Sequence, residues 1–146
     1  MGASVGGYAC DITRTFVVGG ALGANDELRR VYDVVRRANE AGRQAARPGV
    51  EIQDVDRAAR RVIAEAGYGA YFTHRTGHGL GLEGHEPPFA CQGDTTILEP
   101  GMTFTVEPGV YLPGQGGVRV EDDVVITADG CESLTTFDRE LKAIGG

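Results

Sequence analysis

Residues 74–88 read H-R-T-G-H-G-L-G-L-E-G-H-E-P-P, and this run restricts the fold more than any other part of the chain. It holds all three histidines of the protein, four glycines and two acids in fifteen residues. Glycines at 77, 79, 81 and 84 forbid a stable helix, where each would cost about 1 kcal/mol relative to alanine. They also argue against a core strand. What remains is a loop whose bare backbone can run close to whatever the histidines face. A lone histidine is ordinarily a satisfied core residue or a solvated surface group. Three in one glycine-rich run, with none elsewhere, mark a candidate site.

The remaining composition bounds the class. A chain of 146 residues suits one domain over residues 1–146 with one core, and 41% hydrophobic with 24% charged content is ordinary for a soluble globular protein. A net charge of -7, with no basic stripe, argues against a nucleic-acid partner. The arginines at 29, 30, 36, 37, 43 and 47 fall at helical spacing among acids and read as a solvated helix face. Cys10, Cys91 and Cys131 are widely spaced and odd in number, which suggests reduced thiols in a cytoplasmic protein. No run approaches the ~20 apolar residues of a membrane span, and no targeting pattern opens the chain, so no membrane partner is expected.

In chain order, Tyr8–Val18 is rich in β-branched and aromatic residues and reads as a strand. Asp11, Thr13, Thr15 and Val17 share one of its faces. An acid there fits either a site or the wet face of an edge strand. Gly19, Gly20 and Gly23 break the strand, and Asn25 or Asp26 caps a helix to about Ala46. A second helix runs from about Ile52 to Ala66, with Gly67 as its stop. Both helices read as structural. After the histidine run, Pro87-Pro88 and Gln92-Gly93-Asp94 mark loop, and Met102–Val106 forms a strand reaching Glu107. Pro108-Gly109 interrupts it before Val110–Leu112. A hairpin loop over Pro113–Gly117 leads to a strand over Val118–Ile126, and Glu132–Thr136 forms a last one. The order β, α, α, then several β predicts an α+β fold with helices on one face of an antiparallel sheet.

Three acids share one anomaly: Asp11, Glu107 and Glu121 each lie in or at the end of an apolar strand. Burying a carboxylate is costly unless it is paired, hydrogen-bonded or on a metal. With His78 they form a plausible set of oxygen ligands plus one imidazole, suited to Mn, Co, Fe or Zn. The segment 79–84 also matches G-x-G-x-x-G, but Pro87 and Pro88 leave no room for the helix that a dinucleotide site requires.

Four motifs then carry a resemblance: D-I-T-R-T at 11–15, the histidine run at 74–88, V-E-P-G-V-Y at 106–111 and R-V-E-D-D at 119–123. In this order they resemble the pita-bread metallopeptidases, most closely the proline-peptidase branch (Xaa-Pro aminopeptidase and Xaa-Pro dipeptidase, or prolidase). The resemblance implies a pita-bread fold and hydrolysis of the bond preceding proline in proline-containing peptides. It implies two divalent ions in the complete enzyme, with manganese favoured and cobalt, zinc or iron as alternatives. Asp11 and Glu121 would bridge both ions, while His78 and Glu107 would bind one. His74 and His85 would contact substrate, Glu107 would also move the proton, and Arg119 would support Glu121. A homodimer is implied for the complete protein.

The chain departs from the pattern at its start. The aspartate that the family carries eleven residues before the one matching Asp11 would fall immediately before Met1. The resemblance then implies that the first half of the pita-bread domain is missing with it, as expected of a fragment, a truncated gene or a misplaced start. At most one tight ion is expected on this chain, and impaired activity with it. Val5, Phe16, Val17 and Val18 are expected to line an unpaired edge. Two other readings are a non-catalytic peptide- or protein-binding module of the same fold, and a methionine aminopeptidase. The intact ligand set opposes the first, and His74-Arg75-Thr76 opposes the second.

Overall fold

The computed structural model describes residues 1–18 and 26–145. The chain opens with β1 (Gly2–Val5), β2 (Tyr8–Asp11) and β3 (Phe16–Val18), followed by α1 (Asp26–Ala45) and α2 (Ile52–Glu65). Then come β4 (Gly77–Gly79), β5 (Glu86–Ala90), β6 (Thr103–Val106), β7 (Gly109–Leu112), β8 (Gly116–Arg119), β9 (Asp122–Ile126), β10 (Cys131–Ser133) and β11 (Lys142–Ile144).

The main sheet has the order β10-β9-β6-β4-β5 and is antiparallel throughout. Phe104, Val106, Val124 and Ile126 pack against Ala46, Ile52 and Val55 in one apolar cluster. A second cluster joins Val31, Val35 and Ala38 of α1 and Ala59 and Ile63 of α2 to Val110, Leu112, Val118 and Val120. Each such aliphatic side chain stabilises the fold by about 1.5–3 kcal/mol when fully buried. Alternation then places Thr105, Glu107, Glu121 and Asp123 on the sheet face away from the helices. That face receives the β1–β2 hairpin, through a bond from the Asp11 amide to the Asp123 carboxylate.

Asn39 links the helical layer to this face. Fully buried on α1, it donates through Nδ2 to the carbonyls of Val106 (2.9 Å) and Val120 (3.4 Å), the residues just before Glu107 and Glu121. Its own Oδ1 accepts from Arg43 Nε at 2.9 Å. Arg43 is thereby drawn partly inward, whereas the arginine spacing predicts a solvated face.

The α+β architecture with both helices on one sheet face is as the pattern predicts, and the helix bounds agree within a residue at each described end. Gly19, Gly20, Gly23 and Asn25 lie outside the described residues. Five other expectations are corrected. Tyr8–Val18 is two strands, because the chain leaves β1 after Asp11 and β3 pairs in parallel with β11. Phe16–Val18 is therefore not wholly unpaired, although Val5 and Val18 are 81% and 82% exposed. Val118–Ile126 divides at Val120–Glu121, where the chain exchanges β7 for β6 as its partner.

The two remaining corrections concern the histidine run. Gly77–Gly79 is a buried core strand despite its glycines, for the steric reason given below. Pro87 and Pro88, joined by a cis bond, lie within β5 rather than in a loop. The strand is at the sheet edge, where a missing amide donor leaves no ladder bond unmade.

Candidate metal centre

Close packing of bare backbone puts His78 where the acids converge. A Cβ on Gly77 would overlap the Thr105 carbonyl oxygen, and one on Gly79 would lie 2.5 Å from the Pro87 carbonyl oxygen. Glycine at both positions lets β4 sit between β5 and β6, and His78, 2% exposed, is fixed between them. Its amide donates to Thr105 Oγ1 at 3.0 Å, and its Nδ1 lies 3.1 Å from the Gly79 carbonyl. Donation from Nδ1 to that carbonyl directs Nε2 towards the acids, the arrangement a metal-binding imidazole needs.

Asp11, His78 and Glu121 bring one ligand atom each to within 4.8 Å of one another. Glu107 joins them, with Oε1 3.2 Å from His78 Nε2 and 3.1 Å from Thr105 Oγ1. The four residues come from β2, β4, the end of β6 and the junction between β8 and β9. His74, His78, His85, Glu107 and Arg119 line one open cleft together with Arg75. His85 is exposed, and its ring centroid lies 3.9 Å from that of His78. His74 Nε2 is 3.0 Å from the Tyr111 hydroxyl. All seven residues singled out in the sequence thus meet in one region.

Arg119 reaches Glu121 indirectly. Its Nε donates to Thr13 Oγ1 at 3.2 Å, and the Thr13 hydroxyl donates to Glu121 Oε2. Thr13 was not among the site candidates, although its two-residue spacing from Asp11 on one strand face was the signal. Asp123 and Tyr111 were also missed. Asp123 follows Glu121 at the same spacing, and Tyr111 sits in a motif that otherwise gave only Glu107.

The electrostatics describe a site short of positive charge. Burial pushes the Glu121 carboxyl up to about 7; Thr13 opposes this, while the charges of Glu107 and Asp11 add to it. Burial likewise raises Asp123 to about 6, against the Asp11 amide and with the charges of Asp11 and Asp122. Burial disfavours the charged His78 ring, but the bonds to Glu107 and to the Gly79 carbonyl raise it overall. Burial also works to raise Glu107, and the bond with His78 holds it below its usual value. Asp123 Oδ1 is buried with no hydrogen-bond partner. Repelling buried carboxylates and an imidazole nitrogen turned towards them fit a divalent cation, which would offset both.

A pH dependence follows for the metal-free protein. Glu121 keeps its proton in the folded chain up to about 7, whereas the unfolded chain loses it near the ordinary value of 4.5. Stability from this group is complete below that ordinary value and is lost as pH rises through about 7. Asp123 and His78, both raised, act in the same direction. Glu107, lowered, contributes stability above its ordinary value and loses it only as pH falls below that, outside this window. Melting followed by circular dichroism in EDTA should therefore occur at lower temperature at pH 8 than at pH 5.5. A flat or rising profile contradicts this charge arrangement.

Comparison with known proteins agrees with the geometry. The chain is 48% identical over 141 residues to the Xaa-Pro dipeptidase of Pyrococcus furiosus, covering 97% of this chain and 40% of that enzyme. The crystal structure of a dipeptidase from Pyrococcus horikoshii OT3 superimposes with a TM-score of 0.94 at 49% identity, over 98% of this chain and 39% of the other. An X-Pro aminopeptidase from Thermotoga maritima gives a TM-score of 0.92 at 41% identity, over 98% and 40% of the two chains. The chain thus spans about two fifths of the length of these relatives, within their pita-bread fold. The family described as Metallopeptidase family M24 matches residues 1–128, which contain all four site-bearing segments, and the chain belongs to that family.

Proposed function

We propose that this chain carries the metal centre of an Xaa-Pro peptidase, which hydrolyses the peptide bond preceding proline. The observation that carries the reading is the convergence of Asp11, His78 and Glu121 within 4.8 Å, with Glu107 against His78. These four residues would hold one divalent ion, manganese first. A second ion would share Asp11 and Glu121. Bound there, divalent ions lower the pKa of a water molecule and polarise the scissile carbonyl.

The remaining chemistry belongs to the chain's own side chains. Glu107 takes the proton of the attacking water and passes it to the leaving proline nitrogen. Its carboxylate is held in orientation before substrate arrives by the Thr105 hydroxyl, which donates to Oε1. His85 flanks the cleft and donates a hydrogen bond to the carbonyl oxygen as negative charge builds there. His74, whose Nδ1 lies 2.7 Å from the Arg75 carbonyl, contacts substrate by exchanging the Tyr111 hydroxyl for it at Nε2. Until then Tyr111 steadies the His74 ring from that nitrogen. Arg119 orients Thr13, and Thr13 orients Glu121.

The test is free proline released from Ala-Pro, and free alanine released from Ala-Ala and from a longer Ala-Pro peptide, each with and without Mn²⁺. The purified chain is expected to release proline from Ala-Pro with Mn²⁺, more slowly than a full-length relative. Equal cleavage of Ala-Ala would overturn the proline preference. No release while Mn²⁺ is bound would make this chain an incomplete enzyme, and the same assay with the upstream half restored would then separate a fragment from a peptide-binding module. Cleavage of the longer peptide would mark aminopeptidase rather than dipeptidase action.

A further inference from the structure

Ligand placement at this site depends on the β1–β2 hairpin, and just beyond it Thr13 bridges to Glu121, whose amide donates to the Thr13 carbonyl at 3.1 Å. Within the hairpin, the Ile12 amide donates to the Met1 carbonyl at 2.9 Å. The Ala9 amide points out of the hairpin and donates to the Gly81 carbonyl at 2.8 Å. The Asp11 amide lies on the same outer edge, and it donates to Asp123 Oδ2 at 2.9 Å. Asp123 is 3% exposed and sits in β9, paired opposite Thr105 in β6. Thr105 in turn holds both the His78 amide and the Glu107 carboxylate.

A carboxylate buried this deeply, with Oδ1 lacking a partner, is a poor choice for packing alone. Its bonded oxygen does something specific: it fastens the backbone of Asp11 to the strand that follows Glu121. We propose that Asp123 is a positioning residue that sets Asp11 against His78 and Glu121, by accepting the Asp11 amide. What matters is the acceptor, not the charge. An amide at position 123 should therefore serve, and a methyl group should not.

The proposal rests on the metal-centre reading for its functional consequence, so its test has two separable readouts. Mn²⁺ affinity is measured by titration calorimetry on the parent chain, Asp123→Ala and Asp123→Asn. Asp123→Ala is expected to weaken binding about 10–100-fold, as loss of an outer support does at metal sites. Asp123→Asn should recover most of that loss. Amide hydrogen exchange of Asp11 in the metal-free chains, read by NMR, follows the bond itself. Protection should fall in Asp123→Ala and persist in Asp123→Asn.

Equal weakening by Ala and Asn, or Asp11 protection unchanged in Asp123→Ala, overturns the positioning role. If the parent chain binds no Mn²⁺, the metal-centre reading fails, and exchange at Asp11 alone then decides whether Asp123 fixes it. Global unfolding in Asp123→Ala would remove protection at every core amide, so the comparison is made relative to Phe104, which lies in the core of the sheet.

Discussion

Gly77→Ala is expected to destabilise the chain by about 4 kcal/mol or more, a loss reserved for changes the core cannot absorb. The added methyl would occupy the space of the Thr105 carbonyl oxygen, and its next neighbour is the Thr105 carbonyl carbon at 2.8 Å. These are backbone atoms, so no rotamer change relieves the overlap. The strand must retreat from β6, and its retreat breaks the bond from the His78 amide to Thr105 and the bond from the Glu107 amide to the Thr76 carbonyl (2.7 Å). Gly84→Ala is the matched control, because a Cβ there meets nothing within 4 Å. It should change stability by no more than about 0.5 kcal/mol, as surface changes usually do. Urea unfolding of both variants checks the contrast, and equal effects would contradict the packing described for β4.

The second large effect is chemical. Glu107→Gln keeps the size of the side chain but cannot accept a proton from water. Proline release from Ala-Pro is expected to fall about 10²–10⁴-fold, the usual contribution of a positioned acid–base group. The variant should remain folded, since Glu107 is at the cleft and 13% exposed rather than in either apolar cluster. A variant that keeps more than a tenth of the parent rate would remove Glu107 from the proton-transfer step.

The sequence was most readable where a periodic pattern met a covalent limit. Apolar residues at three- and four-residue steps located α1 and α2, and the charge anomaly of Asp11, Glu107 and Glu121 drew attention to the residues that converge with His78. The glycines at 77 and 79 were misread because a propensity argument counts what glycine lacks. In the structure the missing Cβ is what lets three strands close. Pro87 and Pro88 misled for a related reason: whether a strand can spare its amide donors depends on its place in the sheet, which no local window contains. Thr13 and Asp123 escaped because they act through hydrogen bonds that span more than a hundred residues of chain. Their spacing from Asp11 and Glu121 gave a direction of search, not a partner.

On the proposed function, Asp11, His78, Glu107 and Glu121 make one cation site. Calorimetric titration of the chain with Mn²⁺ tests it most directly, with His78→Ala and Glu121→Gln in parallel. Saturable binding of one tight ion per chain, strengthening as pH rises through about 7 where Glu121 must shed its proton, is the predicted result. Either variant should weaken it by at least about tenfold. Failure to saturate, or binding that both variants leave unchanged, would contradict the claim.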